Sequence, residues 1–306
     1  MTEHDYGQNV FLTAELVGWD QLGRFEQYSK VKINVTYQPW MVKEIARLPV
    51  NMPKKPGLAL LRLTLEDAAG KPLHHNFISF VIESELNTPE KTIWLNEKKA
   101  NLVSFTPSSF SSTEWSQKQW NVMDGLKVDG AGYGYFEYKV SIPDNISIPD
   151  ISYVSLVLEA SAKQLFGKDK PKSEKVDGDF MRGKGTFDNG LNPNSYPMTD
   201  ETRFPSNVRI RVNNKLIGTY MLEDDPADHR GILSWYSQPK NNKLNEAGSY
   251  GYLINSDIPV QLLSDLPDRI ITIRFEVDSA LPGGLAIYGE KFGRYPLDPT
   301  LVFVMK

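Results

Sequence analysis

The densest set of reactive side chains in this sequence lies at 224–236, where Asp224, Asp225, Asp228, His229 and Arg230 run directly into Trp235 and Tyr236. Carboxylate, imidazole and guanidinium groups beside two aromatic rings are the tools of saccharide recognition. Planar charged groups make paired hydrogen bonds to neighbouring hydroxyls, and the C–H face of a pyranose stacks on an indole or phenol ring. The same string fits a turn whose aspartates cap backbone amides while Trp235 anchors the core. Both readings stand at this stage.

Three further aromatic groups admit the same pair of readings. Trp115 and Trp120 stand near Tyr133 and Tyr135; Tyr250 and Tyr252 sit two apart between glycines; Tyr288, Phe292 and Tyr295 follow one another in a glycine-spaced stretch. On a binding face such rings are stacking platforms, and inside a sandwich they fill its ends. The carbohydrate-binding candidates are Trp235, Arg230, His229 and Asp228, followed by Trp120 and Tyr252.

Other chemistries find less support. The chain has no cysteine, which excludes disulfides and thiolate metal sites. His74 and His75 are adjacent, so on a strand they face opposite sides and do not share a metal easily. Asp177, Asp179 and Asp188, or Asp224, Asp225 and Asp228, leave room for a structural calcium, although neither set follows an EF-hand loop. No cofactor is expected. Glu137 and Glu159 are the carboxylates to consider as a hidden hydrolytic pair, but both fall on outward strand faces, where charge is the default. No nucleophile-elbow, zincin, phosphate-loop or dinucleotide-binding motif occurs.

The elements that position these residues read as strands. In 131–143, Phe136, Tyr138, Val140 and Ile142 alternate with Tyr135, Glu137, Lys139 and Ser141. The same period of two returns at Val154/Leu156/Leu158, Val208/Ile210/Val212 and Ile271/Ile273/Phe275/Val277. Each such segment has one dry face to bury against a second sheet. Sustained helical periodicity is absent, and 40–48, enclosed by Pro39 and Pro49, reads as an irregular strand or single turn. A formal net charge of −4 offers no general attraction to nucleic acid or an anionic membrane. No apolar run reaches the length of a membrane span, and 1–8 has no signal-peptide core.

Two segments follow. Strands expected at 11–17, 31–37, 58–65 and 77–82, with a hairpin turn at 68–71, describe a small immunoglobulin-like β-sandwich over 1–86. The polar stretch 83–90 interrupts the strand pattern. The larger segment, 87–306, has seven or eight expected strands, broken by a long irregular loop at 166–207 whose spaced aromatics suggest packing onto the domain.

Family features appear in both segments. The stretch from Glu15 through a mid-domain MP–PG element, LRLTLED, DAAG and HNFISF resembles the sandwich that follows the barrel in family 2 glycoside hydrolases. Trp115 and Trp120, then GYGYFEYKVSIPD, VSLVLEASAKQ and VRIRVNNKLIGTY, resemble the galactose-binding-like jelly-roll domain of the same enzymes. The resemblance implies an all-β fold, an immunoglobulin-like sandwich followed by a galactose-binding-like jelly roll. It also implies an accessory fragment of a polysaccharide-degrading hydrolase, in a secreted, periplasmic or bacterial cell-surface setting. The implied partners are an oligo- or polysaccharide and the parent's catalytic domain. The catalytic glutamates of that family sit on a (β/α)₈ barrel, which nothing in this sequence can form. The alternatives are a purely structural brace of the parent enzyme or its oligomer, and a protein-binding adhesion module.

Overall fold

A computed structural model of the chain describes residues 10–20, 22–36, 42, 44–55, 57–82, 91–165, 169, 204–225, 251–264, 266–281, 283–293, 295 and 297–306. The architecture is all-β, with antiparallel sheets throughout. The chain divides into two compact units, and of the described residues those up to 82 fall in the first and those from 91 onward in the second.

The first unit contains β1 (Val10–Asp20), β2 (Phe25–Val35), β3 (Gly57–Glu66) and β4 (Pro72–Ile82), in the sheet order β2-β1-β3-β4. All four overlap expected strands and are longer than the sequence suggested; β2 starts six residues before the expected 31–37 and ends at Val35. Among the described residues they form one sheet, and the described residues at 42–55 carry no regular element. One face is laced with charge: Glu15 pairs with Arg62, and Glu66 takes the Lys32 ammonium at 2.5 Å. The turn at 67–71 closes as expected. Asp67 accepts from the amides of Ala69 and Lys71, and Gly70 takes the left-handed backbone (φ 80°) that favours a residue without a Cβ.

The second unit opens with β5 (Thr92–Leu95), β6 (Lys98–Ser104), β7 (Ser112–Trp115), β8 (Lys118–Val122) and β9 (Lys127–Ala131). It continues with β10 (Gly134–Ser141), β11 (Ile151–Ser161), β12 (Ser206–Val212) and β13 (Lys215–Leu222). The last strands are β14 (Tyr252–Ile258), β15 (Ile270–Val277), β16 (Leu285–Tyr288) and β17 (Thr300–Met305). Seven or eight strands were expected here. The surplus comes from four- and five-residue pieces such as β5, β7, β8 and β16, too short to show a period.

Five of these strands form one sheet in the order β13-β12-β15-β10-β7. The other sheet has the order β5-β6-β17-β11-β16-β9-β8, with β14 also on β11. Because β14 overlaps both β17 and β16 in its pairing with β11, those two strands share the opposite edge of β11. The dry faces read from sequence meet between the sheets. Phe136, Tyr138, Ile210, Ile273 and Phe275 come from one side, and Val154, Leu156, Leu158, Ile287 and Phe303 from the other. Burying those ten side chains, each worth about 1.5–3 kcal/mol, is what holds the two sheets face to face.

Trp115 on β7 fills one edge of this core, with its ring 5.0 Å from that of Phe136. It reaches across to β9, where a Cβ on Gly130 would lie 2.0 Å from the indole. Glycine at 130 is therefore a close-approach requirement imposed from the opposite sheet. Two-residue hairpin turns close β5 onto β6 (Asn96, Glu97) and β12 onto β13 (Asn213, Asn214), all four residues having left-handed backbones.

Candidate functional site

Four strand ends meet at one rim of the second unit. The register Ala160↔Tyr252 sets the end of β11 beside the start of β14, and Ser206↔Leu222 sets the start of β12 beside the end of β13. These two pairs of ends are joined by an ion pair and a backbone-to-carboxylate hydrogen bond, and two more such bonds brace the β12–β13 side. The Lys163 ammonium lies 3.1 Å from both oxygens of Asp225, and the side chains are only 5% and 6% exposed. Asp225 also accepts from the Gln164 amide at 3.1 Å. Asp224 accepts from the amides of Phe204 at 3.0 Å and Asp225 at 2.9 Å. Gly283 and Gly284 add backbone bonds to Pro205 and Lys163. A buried ion pair gains little net stability once desolvation is counted, but it tolerates very few geometries, so it fixes how these ends sit.

The outward face of the eight-stranded sheet leads to this rim in rows. Glu159, Tyr288 and Lys127 are register partners across β11, β16 and β9. The next row holds Ser161, Ala286, Asp129 and Trp120, and β8 ends that face with Lys118 opposite Ala131. An outward face normally meets water, yet Glu159, Lys127 and Asp129 are no more than 1% exposed. The reason is the segment between β16 and β17, which lies over them. The Tyr295 amide donates to Glu159 Oε2 at 2.9 Å, and Phe292 packs 6.1 Å from Tyr288. The Lys127 ammonium sits 3.2 Å from Asp129 and 4.9 Å from the centre of the Tyr288 ring, a cation beside a carboxylate and a π face. The Tyr288 hydroxyl and Ser161 share a 3.0 Å hydrogen bond.

Asp298 ties down that covering segment by accepting from the Glu290 amide at 3.1 Å. Burial pushes its carboxyl up to about 6; the Glu290 carboxylate adds to the shift, while the Glu290 amide and Lys291 oppose it. A carboxyl with a raised folded value binds its proton more tightly when folded. Its contribution to stability is complete below pH 3.8 and is lost as pH rises towards 6. Asp298→Asn is expected to remove an acid-side gain on the order of 2–3 kcal/mol. Denaturant unfolding of both proteins from pH 4 to 7 measures this, and parallel curves would refute it.

The residues nominated from sequence divide three ways. Asp228, His229, Arg230 and Trp235 lie outside the described residues, as do most of 166–207, Asp177, Asp179 and Asp188. The strand β12 begins at Ser206, so that irregular stretch ends before 207. Trp120 is half-buried on the outward face, one row from the rim, with the Lys118 ammonium 5.2 Å from its ring centre. Lys118 in turn holds Asp169 at 2.5 Å. Tyr252 differs from expectation: it faces the core at 8% exposure and belongs to the packed interior, not to a stacking surface. Its glycine neighbour Gly251 allows close approach to the backbone of Ala160, within the same sheet.

Asp224 and Asp225 follow the capping reading of the 224–236 cluster. With an ammonium on both its oxygens, Asp225 is an anchor and a poor cation ligand. Among the described residues no group of three His, Asp or Glu side chains could hold a metal. Glu137 is paired with Arg274 at 2.6 Å on the outer face of the five-stranded sheet, and Glu159 lies on the outer face of the other sheet. Sheets about 10 Å apart separate those carboxyls beyond any glycosidase spacing. Sequence reasoning missed two sets of buried charges, Lys163 with Asp225 and Lys127 with Asp129 beside Glu159. The available signal was their period-two alternation with apolar residues, which also describes ordinary solvated strands. No helix among the described residues is long and apolar enough to cross a membrane.

The chain matches no protein-family model and no curated protein. Among solved structures it is similar to an α-L-rhamnosidase from Streptomyces avermitilis, at 10% identity and a TM-score of 0.20, over 92% of this chain and 20% of that one. It is also similar to an insecticidal delta-endotoxin from Bacillus thuringiensis, at 7% identity and a TM-score of 0.24, over 98% of this chain and 42% of that one. The chain thus spans less than half of either protein, and likenesses this slight carry no argument about what it does.

Proposed function

We propose that this chain is a non-catalytic, carbohydrate-binding accessory region of a larger polysaccharide-degrading glycoside hydrolase, holding glycan near a catalytic domain carried elsewhere on the parent. In this reading 1–86 is an immunoglobulin-like sandwich, 87–306 is a galactose-binding-like jelly roll, and the setting is secreted, periplasmic or cell-surface. The observation that carries it is the clamped rim. In sequence, 166–203 and 226–250 follow the ends of β11 and β13, and those ends are held together by Lys163 and Asp225, with Asp224 holding Phe204. A rigid two-sheet body with long connections at one end is how binding loops are commonly presented. Asp228, His229, Arg230 and Trp235 supply planar hydrogen-bonding groups and a stacking ring on one of those connections.

A purely structural role has one observation in its favour: Tyr288 and Tyr295, which the sequence leaves open between a binding face and interior packing, are fully buried. Affinity electrophoresis or calorimetry against a polysaccharide panel separates the two. The binding reading expects retention by at least one polymer, weakened about tenfold or more (about 1.4 kcal/mol) in Trp235→Ala. Retention by no polymer, or retention indifferent to that change, would leave the structural role.

A further inference from the structure

We infer a second ligand surface at the opposite margin of the eight-stranded sheet: the hairpin β5–β6 is an anionic-glycan contact built on Trp94 and its flanking lysines. Trp94 is 69% exposed, more than any other large aromatic side chain among the described residues. Burying an indole is worth several kcal/mol, so an indole left in water on a regular strand needs a reason. The strand is well held. Two residues, Asn96 and Glu97, close the hairpin in left-handed conformation, and β6 is paired with β17 over Ala100 to Ser104. Such a ring is preorganised, and a sugar stacking on it orders no new backbone.

The charge around it specifies the ligand. Lys99 is the direct cross-strand partner of Trp94, which puts both side chains on one face. Lys98 follows the turn, and the Lys91 carbonyl receives the Leu102 amide at the other end of the hairpin. All three lysines are exposed, and no ion pair engages them among the described residues. Several other described cations of the unit are engaged: Lys118, Lys127, Lys163, Arg209, Arg211 and Arg274 each hold a carboxylate. From 91 to 101 there are three lysines against the single carboxylate of Glu97. The chain as a whole carries −4, so this local excess runs against its overall sign. An exposed indole with Lys99 on its own face, and Lys98 and Lys91 on the other face of the same edge hairpin, suits a saccharide chain bearing carboxylates at regular intervals, that is, a uronate polymer.

The surface is separate from the rim and stands or falls apart from it. The test is affinity electrophoresis of the whole chain in gels containing polygalacturonate, with dextran gels and polymer-free gels as references. Net negative charge should make the acidic gel repel the protein, so retardation there reports a local site. The expected result is retardation by polygalacturonate and not by dextran, weakened about tenfold by Trp94→Ala and by Lys98→Ala/Lys99→Ala. It should be unaffected by Trp235→Ala and lost in 0.5 M salt through screening. Both variants change exposed side chains, and thermal melts matching the parent chain confirm that they fold. No retardation by polygalacturonate overturns the inference, as does retardation that survives both variants or is equal in dextran. A loss seen only with Trp235→Ala would move anionic binding to the rim and away from Trp94.

Discussion

Replacing Asp225 with alanine is expected to destabilise the second unit by about 3–5 kcal/mol. Its side chain is 6% exposed and accepts two contacts from the Lys163 ammonium and one from the Gln164 amide. Removing it takes a carboxylate away from a buried ammonium, and part of the desolvation suffered by Lys163 is no longer offset. The double change Lys163→Met/Asp225→Leu removes both charges and should recover most of the loss, since a well-packed apolar pair of similar volume replaces a buried ion pair at little cost. Urea unfolding at pH 7 measures both. A single-variant loss under about 1 kcal/mol, or a double variant no better than the single, would show that the clamp is not what holds the rim. The functional corollary is specific: carbohydrate retention at the rim should fall in Asp225→Ala even at temperatures where the core remains folded.

Phe136→Ala is expected to cost about 3–5 kcal/mol for a different reason. The ring is fully buried, stands opposite Phe275 in the β10–β15 ladder, and lies 5.4 Å from Phe110 and 5.0 Å from Trp115. Truncation forfeits the transfer free energy of the ring and opens a void that the stiff sheets on either side cannot close. Lys139→Ala, three residues along and exposed on the other face of the same strand, should stay within about 0.5 kcal/mol. Denaturant midpoints of the two variants test the alternation directly. Similar values for both would mean that β10 is not a core strand.

The carbohydrate reading is made more exact by the geometry, because the acidic end of the 224–236 cluster has a structural job. Asp224 and Asp225 fasten the connection at its root, which leaves Asp228, His229, Arg230 and Trp235 as the ligand-facing proposal. Of the six nominated residues two are described: Tyr252 pairs with Ala160 at the rim but faces the core, and Trp120 on β8 lies three strands from β11 along the row of Ser161.

Local pattern alone determined that this protein is all-β, and the reason is the pleat. A period of two can only make one dry and one wet face, so Phe136/Tyr138/Val140 and Ile271/Ile273/Phe275 had to meet another sheet, and they do. The turn at 67–71 was equally legible, because Asp, Gly and the flanking strands act over five residues. What alternation does not encode is whether the wet face stays wet. Glu159, Lys127 and Asp129 read as solvated charges, yet a segment more than 120 residues later in the chain than Glu159 covers them and turns them into a buried network. In the same way, Tyr252 reads as a platform until its register with Ala160 turns it inward, and Gly130 reads as a plain strand glycine until Trp115 arrives from the opposite sheet. Each of those outcomes depends on contacts between residues far apart in sequence, and only the packed structure brings them together.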